Sequence, residues 1–384
     1  MRFFHLSDLH IGLRLMNRDL SEDQAYILDR IVRYASEEQP DAVVVAGDLF
    51  DRAVPSSEAV SLFDHFLSAL SAALSEGEIM MISGNHDSAP RIDMYREILK
   101  NHRIRMIGMP PVRMDQFIEK VRMEDEYGPV YFYLLPFVKP SFIKQITGTD
   151  ENGNNLSYDE ALRRLLGRED VDLSARNVLV SHQFYLPSGT DANSVERADS
   201  EIRTVGNIDA VGTDVLLPFD YAALGHIHKP MKAGSEFFRY SGTPLLTSVS
   251  EAGQAKGIIL VEMKEKGNLS TKVLPLEPLR QIRVIRGTPD EVLARSCGDY
   301  VRVELDGDSG DMDLPDILER IRRAFPYLLE IRRKPRDSAY ADLRLAAGRE
   351  ADPFELCCEF LGETDVQERE LLRDVINHVE EVTV

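Results

Sequence analysis

The sequence of 384 residues predicts a layered α/β fold, and three observations support this prediction. Short apolar runs rich in β-branched residues alternate with longer segments in which apolar residues recur at helical spacing. Asp, Asn or His follows five of these short runs within a few residues, at the position where layered α/β folds bind ligands. The chain is also longer than the roughly 250 to 300 residues that usually share one hydrophobic core, so we expect more than one domain.

The first part of the chain contains most of the predicted strands and three helices. Strands are predicted at residues 3–6, 42–46, 79–82, 104–107, 130–135, 177–180, 221–224 and 257–261. A first helix follows the first strand, where Ser21 and Gln24 match a capping box and Pro40 lies beyond the helix end. A second helix is expected to end near Gly77, and a third begins at Ser157, whose side chain is a typical N-cap.

The α/β pattern starts again near residues 274–281. Strands at 282–285, 300–305 and 328–331 alternate with helices opened by Thr288 and Asp313, which predicts a small β-α-β-α-β unit. A polar linker and two further helical segments follow. We therefore expect a main domain at residues 1–275, a small α/β domain at 276–336, and a linker with C-terminal helices at 337–384.

The last predicted helix carries an apolar stripe that needs a partner surface. A helix of this length is marginal in water unless its apolar face is covered. The helix could fold back on its own chain or dock on another protein, and we favour the other protein. The residues of the stripe are Leu371, Leu372, Val375, Ile376 and Val379.

Composition narrows the classes of protein to which the chain can belong. The net charge of −20 argues against binding nucleic acid through a basic surface, although bound divalent cations would reverse the charge locally. Three cysteines form no disulfide framework, and no long apolar stretch predicts a membrane span, so we expect a cytoplasmic protein. The sequence has no phosphate-binding loop motif, and any ATP dependence would therefore come from another chain.

The polar residues that follow the five strands form a set typical of a metal site. They are Asp8 and His10, Asp48, Asn85 and His86, His182, and His226 with His228. Carboxylates, imidazoles and an amide oxygen, without any thiolate, favour Mn, Fe, Zn or Mg. Because one ion would be over-supplied with ligands, we expect two ions about 3.5 to 4 Å apart that share one carboxylate, an arrangement suited to displacement at phosphorus.

The motifs "DLHIG", "GDLFD", "GNHD", "SH" and "GHIH", in this order, resemble the calcineurin-like metallophosphoesterase superfamily and, within it, the DNA-repair nuclease branch. The resemblance implies a β-sandwich flanked by helices, with a DNA-facing α/β capping domain and C-terminal helices that dock a coiled-coil ATPase. It also implies exonuclease action on duplex ends, endonuclease action on single strands and hairpins, and a homodimer within a heterotetramer.

The resemblance also implies a role for each residue of the set. Asp8, His10 and His228 would hold one metal ion, Asn85, His182 and His226 would hold the second, and Asp48 would bridge them. The ions would be Mn²⁺, with Mg²⁺ as the alternative, and a water shared by them would be the nucleophile. His86 would stabilise the scissile phosphate or protonate the leaving oxygen, and Asp51 would orient His86.

Two other functions remain open for the same motifs. A phosphatase or small-substrate phosphodiesterase of the superfamily would use the same core, but protein phosphatases usually read GDxVDRG and GNHE where this chain has "GDLFDRA" and "GNHD". A non-catalytic scaffold would have lost ligands, whereas the full set is present here. We therefore favour the nuclease.

Overall fold

The computed structural model describes residues 1–74, 76–94, 96–187, 190, 198, 201, 209–306 and 314–333. Its strands are β1 Arg2–Leu6, β2 Arg14–Leu15, β3 Arg18–Asp19, β4 Ala42–Ala46, β5 Glu78–Ile82, β6 Ile104–Ile107, β7 Glu119–Asp125, β8 Gly128–Leu135, β9 Arg176–Ser181, β10 Phe184–Leu186, β11 Ala210–Gly212, β12 Tyr221–Leu224, β13 Met231–Lys232, β14 Phe238–Tyr240, β15 Lys256–Met263, β16 Leu269–Leu276, β17 Ile282–Gly287, β18 Tyr300–Leu305 and β19 Leu328–Arg333. Its α-helices are α1 Ser21–Glu38, α2 Ser57–Ala73, α3 Ala89–Ile92, α4 Arg96–Leu99, α5 Pro140–Thr147, α6 Tyr158–Leu166, α7 Pro289–Leu293 and α8 Leu314–Ala324.

Two sheets packed face to face form the main part of the described residues. One has the order β16-β15-β1-β4-β5-β6, and the other has the order β13-β14-β12-β9-β8-β7. Buried side chains such as Phe3, Val44, Phe132 and Val180 fill the space between them. Helices α1 and α2 cover the outer face of the first sheet, and α5 and α6 cover that of the second. These layers confirm the predicted α/β fold class.

The strands that precede the predicted ligands run parallel to one another within each sheet. β1, β4 and β5 pair in parallel in the first sheet, and β8, β9, β12 and β14 do so in the second. Strands β1, β4, β5, β9 and β12 are almost entirely buried, which explains why each contains a continuous apolar run in the sequence. The carboxyl ends of β1, β4, β5, β9 and β12 meet at one edge of the sandwich, where the loops after them come together.

The last part of the described chain is a three-stranded parallel sheet, β17-β18-β19, covered by α7 and α8. We call it the small unit. Its helix α7 begins at the predicted Thr288, which forms a capping box with Glu291, whereas the predicted Asp313 lies outside the described residues. The small unit contacts α1 through Asp23, which accepts hydrogen bonds from Arg280 Nη1 and the Tyr300 hydroxyl, both at 2.8 Å.

The capping box predicted for α1 is wrong. The N-cap is Leu20, and Ser21 is already helical, with its main-chain N–H bonded to the Asp19 carboxylate. Gln24 instead reaches into the loop after β1, where its Oε1 accepts from Gly12 N (2.9 Å) and its Nε2 donates to the His10 carbonyl (2.7 Å). The need to satisfy buried backbone groups of that loop outweighed the local cap.

Two further expectations concern the ends of helices and the C-terminal part. Helix α2 ends at Ala73, somewhat before Gly77. The linker and the stripe of Leu371, Leu372, Val375, Ile376 and Val379 lie outside the described residues. Among the helices that are described, none combines the length and apolar composition needed to cross a bilayer.

Candidate metal centre

The loops after the five strands hold several of their polar residues in strained backbone conformations. Asp8 (φ 54°), His10 (φ 42°), Asp48 (φ 51°) and His226 (φ 96°) all have positive φ. A residue other than glycine costs of order 1 to 3 kcal/mol in such a conformation, and it persists only where the surrounding structure imposes it. The fold therefore fixes the direction of these side chains before any ligand binds.

Asp87 ties two of these loops together. Its buried carboxylate accepts hydrogen bonds from the main-chain N–H groups of Leu49 (3.0 Å), Phe50 (2.9 Å) and Gly84 (2.9 Å). The loop after β4 is thereby held against the loop after β5. Asp87 thus orients the backbone of both loops.

The first group of side chains consists of Asp8, His10 and His228, which offer ligand atoms within 4.8 Å of one another. Nε2 of His10 lies 3.1 Å from Nε2 of His228. Nδ1 of His228 lies 3.2 Å from the Thr247 hydroxyl, and that hydroxyl donates to Glu251 (2.5 Å). The contact at Nδ1 leaves Nε2 of His228 directed at the other members of the group.

The second group consists of Asn85, His182 and His226. Oδ1 of Asn85 lies 3.1 Å from Nε2 of His182 and 2.9 Å from Nδ1 of His226. Nδ1 of His182 donates to the Ala46 carbonyl (2.6 Å), so Nε2 presents its lone pair to the group when the ring is neutral. These three side chains come from three different loops and converge on one point.

Asp48 lies between the two groups. Its Oδ2 is 3.2 Å from Nε2 of His182 and 3.7 Å from Nε2 of His10. Asp8 also approaches the second group, with its Oδ1 4.0 Å from Nε2 of His182. A carboxylate in this position can contact cations on both sides.

Burial dominates the electrostatics of these side chains. It raises the pKa of Asp8 to about 7 and lowers the pKa of His10 to about 3. Burial also opposes the charged forms of Asp48 and His182, but their mutual attraction holds the pKa of Asp48 well below its ordinary value and raises that of His182 to about 9. The oxygen and imidazole donors crowded at this buried point fit divalent cations.

His86 lies beside the first group, with its ring 4.8 Å from the ring of His10. Its Nδ1 donates to the main-chain carbonyl of Asp51 (2.9 Å), and its main-chain N–H donates to Oδ1 of Asp48 (2.9 Å). The Asp51 carboxylate points elsewhere, towards Nδ1 of His10 (4.0 Å) and Arg52 (3.5 Å). His86, His10 and Asp48 also lie close enough together to share a metal ion.

A buried ion pair behind His228 was not predicted from the sequence. Lys256 Nζ lies 2.6 Å from Glu251 and donates to the main-chain carbonyl of His228 (2.9 Å). Glu251 also accepts from Thr247, which contacts the His228 ring. No motif marks these residues, because a buried Lys and Glu look like surface residues in a sequence.

Comparison with known proteins agrees with this geometry. Residues 1–230 match the model of a family described as calcineurin-like phosphoesterase. The D subunit of the SbcCD nuclease from Staphylococcus epidermidis is 28% identical over 338 residues, which cover 86% of this chain and 85% of that protein.

Two solved structures are more distant. A dimetal phosphatase from Danio rerio is 15% identical with a TM-score of 0.41, covering 72% of this chain and 98% of that one. GAP50, the anchor in the inner membrane complex of Plasmodium, is 12% identical with a TM-score of 0.41, covering 87% and 97%. Neither similarity is close enough to indicate a function.

Proposed function

The chain belongs to the calcineurin-like phosphoesterase family, which makes it a metal-dependent hydrolase of phosphate esters, and from this premise we propose that it is a DNA nuclease. More specifically, we propose the nuclease subunit of an SbcCD-type repair complex, with double-strand exonuclease and single-strand or hairpin endonuclease activity. The observation that carries the proposal is the buried position of Asp48 between two groups of donor side chains. The similarity to the D subunit of the SbcCD nuclease supports DNA as the substrate.

The two groups of side chains suit two cations. We propose that Asp8, His10 and His228 hold one ion, that Asn85, His182 and His226 hold the other, and that Asp48 bridges them. When bound, the ions supply the Lewis acidity that activates a water for attack at phosphorus. Mn²⁺ is the favoured ion and Mg²⁺ the alternative, because imidazole nitrogens suit Mn²⁺ better than they suit Mg²⁺.

His86 is proposed as the residue that acts on the reacting phosphate. The bond from its Nδ1 to the Asp51 carbonyl fixes the ring and leaves Nε2 to contact a phosphate oxygen or to carry a proton to the leaving oxygen. In this geometry Asp51 orients His86 through its main chain, while its carboxylate lies near His10.

The proposed partners follow from the relative and from the sequence. We propose a homodimer that assembles with an SbcC-type coiled-coil ATPase in the bacterial cytoplasm, with the small unit facing DNA and the C-terminal helices docking the ATPase. The net charge of −20 predicts weak, salt-sensitive DNA binding by the isolated chain. Tight binding without metal or partner would contradict this proposal.

The test is digestion of end-labelled duplex, hairpin and single-stranded DNA with Mn²⁺ or Mg²⁺, using the wild type, His86→Ala and the control His102→Ala. His102 is exposed at the end of a short 3₁₀ helix before β6, so its substitution should leave activity unchanged. Metal-dependent cleavage that is lost in His86→Ala, while bound metal persists, is the expected result. Hydrolysis confined to phosphomonoesters or small diesters would instead assign the chain to the phosphatases.

A further inference from the structure

A cavity of about 380 Å³ lies beside the candidate metal centre. One side is formed by the loop after β5, including Gly84 and Asn85, and the other by the segment after β8, including Phe137, Lys139 and Phe142. Asn85 belongs to the second group of donor side chains. The cavity therefore adjoins the side chains that we propose to lie around the reacting phosphodiester.

The walls of the cavity include apolar side chains that are not buried in the hydrophobic core. The Phe142 side chain is 50% exposed and Met109 is 36% exposed, whereas the neighbouring Ile143 is fully buried in the core. Phe137 is fixed against the metal centre, since its ring lies nearly parallel to that of His226 at 18° and 6.4 Å between centroids. The cavity thus offers exposed apolar surface at Phe142 and Met109, and Phe137 lies between this cavity and the candidate metal centre.

Charge at the cavity favours an anionic ligand. Lys139 lines the cavity, is half-buried and forms no ion pair within the described part of the chain. The Asp87 carboxylate also lines the cavity, but both of its oxygens already accept hydrogen bonds from main-chain N–H groups. A ligand with a flat aromatic face and an adjacent phosphate matches both features, and a nucleotide has this chemistry.

We propose that this cavity is the subsite for the nucleobase next to the scissile phosphate, with the base packed on Phe142 and Met109 and a neighbouring phosphate beside Lys139. The inference rests on the proposed phosphodiesterase function and adds that the enzyme recognises a base through its aromatic face. Such packing tolerates any base, because every base has a π-face.

The test compares two diesters with the same leaving group, thymidine 5′-p-nitrophenyl phosphate, which carries a base, and methyl p-nitrophenyl phosphate, which does not. The variants are Phe142→Ala, Phe142→Tyr and the control Phe117→Ala, whose ring is 57% exposed but does not line the cavity. We expect Phe142→Ala to reduce the preference in kcat/KM for the thymidine ester about tenfold, chiefly through KM. Phe142→Tyr should retain the preference, and Phe117→Ala should not change it.

An unchanged preference in Phe142→Ala would overturn the subsite while leaving the phosphodiesterase intact. Failure of the wild type to cleave DNA as well as both esters would instead refute the proposed function. In that event, binding of a single-stranded oligonucleotide containing 2-aminopurine decides on the subsite. Fluorescence quenching that is lost in Phe142→Ala but kept in Phe117→Ala supports the subsite, and equal quenching in both refutes it.

Discussion

Gly84 allows the loop after β5 to pass directly over Asp48, and this close approach yields a sharp prediction. A Cβ at position 84 would lie 2.1 Å from Oδ1 of Asp48 and 2.4 Å from its main-chain N. The backbone of Gly84 is not left-handed, so Gly84→Ala tests the steric contact alone. Ordinary contact begins at 3.4 Å, so the alanine and the carboxylate would have to separate by about 1.3 Å, the difference from 2.1 Å.

A displacement of about 1 Å at a reacting centre can reduce the rate about 100-fold, equivalent to about 2.7 kcal/mol. We therefore expect kcat/KM of Gly84→Ala to fall by about this factor in Mn²⁺-dependent hydrolysis of bis(p-nitrophenyl) phosphate. Bound manganese, measured by mass spectrometry, should fall as well because Asp48 is the proposed bridge between the ions.

Gly298→Ala is the matched control, because a Cβ at that position would meet no atom within 4 Å. It should keep the activity, metal content and thermal stability of the wild type. Wild-type activity and metal content in Gly84→Ala would refute the reasoning, since Asp48 would then tolerate displacement or lie outside the reacting centre.

Three further predictions concern stability. Burial lowers the pKa of His5 from 6.5 to about 3, so the unfolded chain gains a proton that the folded chain does not, and stability is lost as pH falls below about 6.5. Between pH 7 and pH 5, the free energy of unfolding measured with urea should therefore fall by about 2 kcal/mol less in His5→Phe than in the wild type. An equal fall in both proteins would contradict this prediction. Lys256→Met should lower the free energy of unfolding by about 3 to 5 kcal/mol by leaving Glu251 buried without its cation, and adding Glu251→Leu should recover part of the loss. Mn²⁺ at 100 times its dissociation constant should add about 2.7 kcal/mol of stability, an effect that EDTA reverses and that His228→Ala weakens.

Much of the fold was predictable because its central strands are buried on both faces. Residues 42–46 and 221–224 read as apolar runs, and the structure places β4 and β12 at these residues. Strands of this kind can be recognised from the local sequence alone, and so can the helix caps at Ser157 and Thr288. The cap predicted at Ser21 was wrong because the Gln24 side chain binds the His10 carbonyl in the loop after β1 instead of the first turn of its own helix.

The convergence of the side chains at the candidate metal centre was predictable for the same reason, since each proposed ligand follows a recognisable strand. The contacts that determine the chemistry of these side chains could not be predicted from the sequence. Nothing in the sequence distinguishes a main-chain contact of His86 with Asp51 from a contact with the Asp51 carboxylate. The buried pair of Lys256 and Glu251 depends equally on the folded arrangement, since only burial distinguishes it from a surface pair.

Two consecutive side chains in the first turn of α1 bind two different parts of the molecule, the small unit and the loop after β1. Asp23 binds Arg280 and Tyr300 of the small unit, and Gln24 binds the carbonyl of His10. Because a helical turn is stiff, the small unit cannot move away from α1 as a rigid body while all these hydrogen bonds stay intact. Any movement of the small unit away from α1 would therefore either break the hydrogen bonds at Asp23 or displace the loop that carries His10, because the two contacts come from adjacent residues.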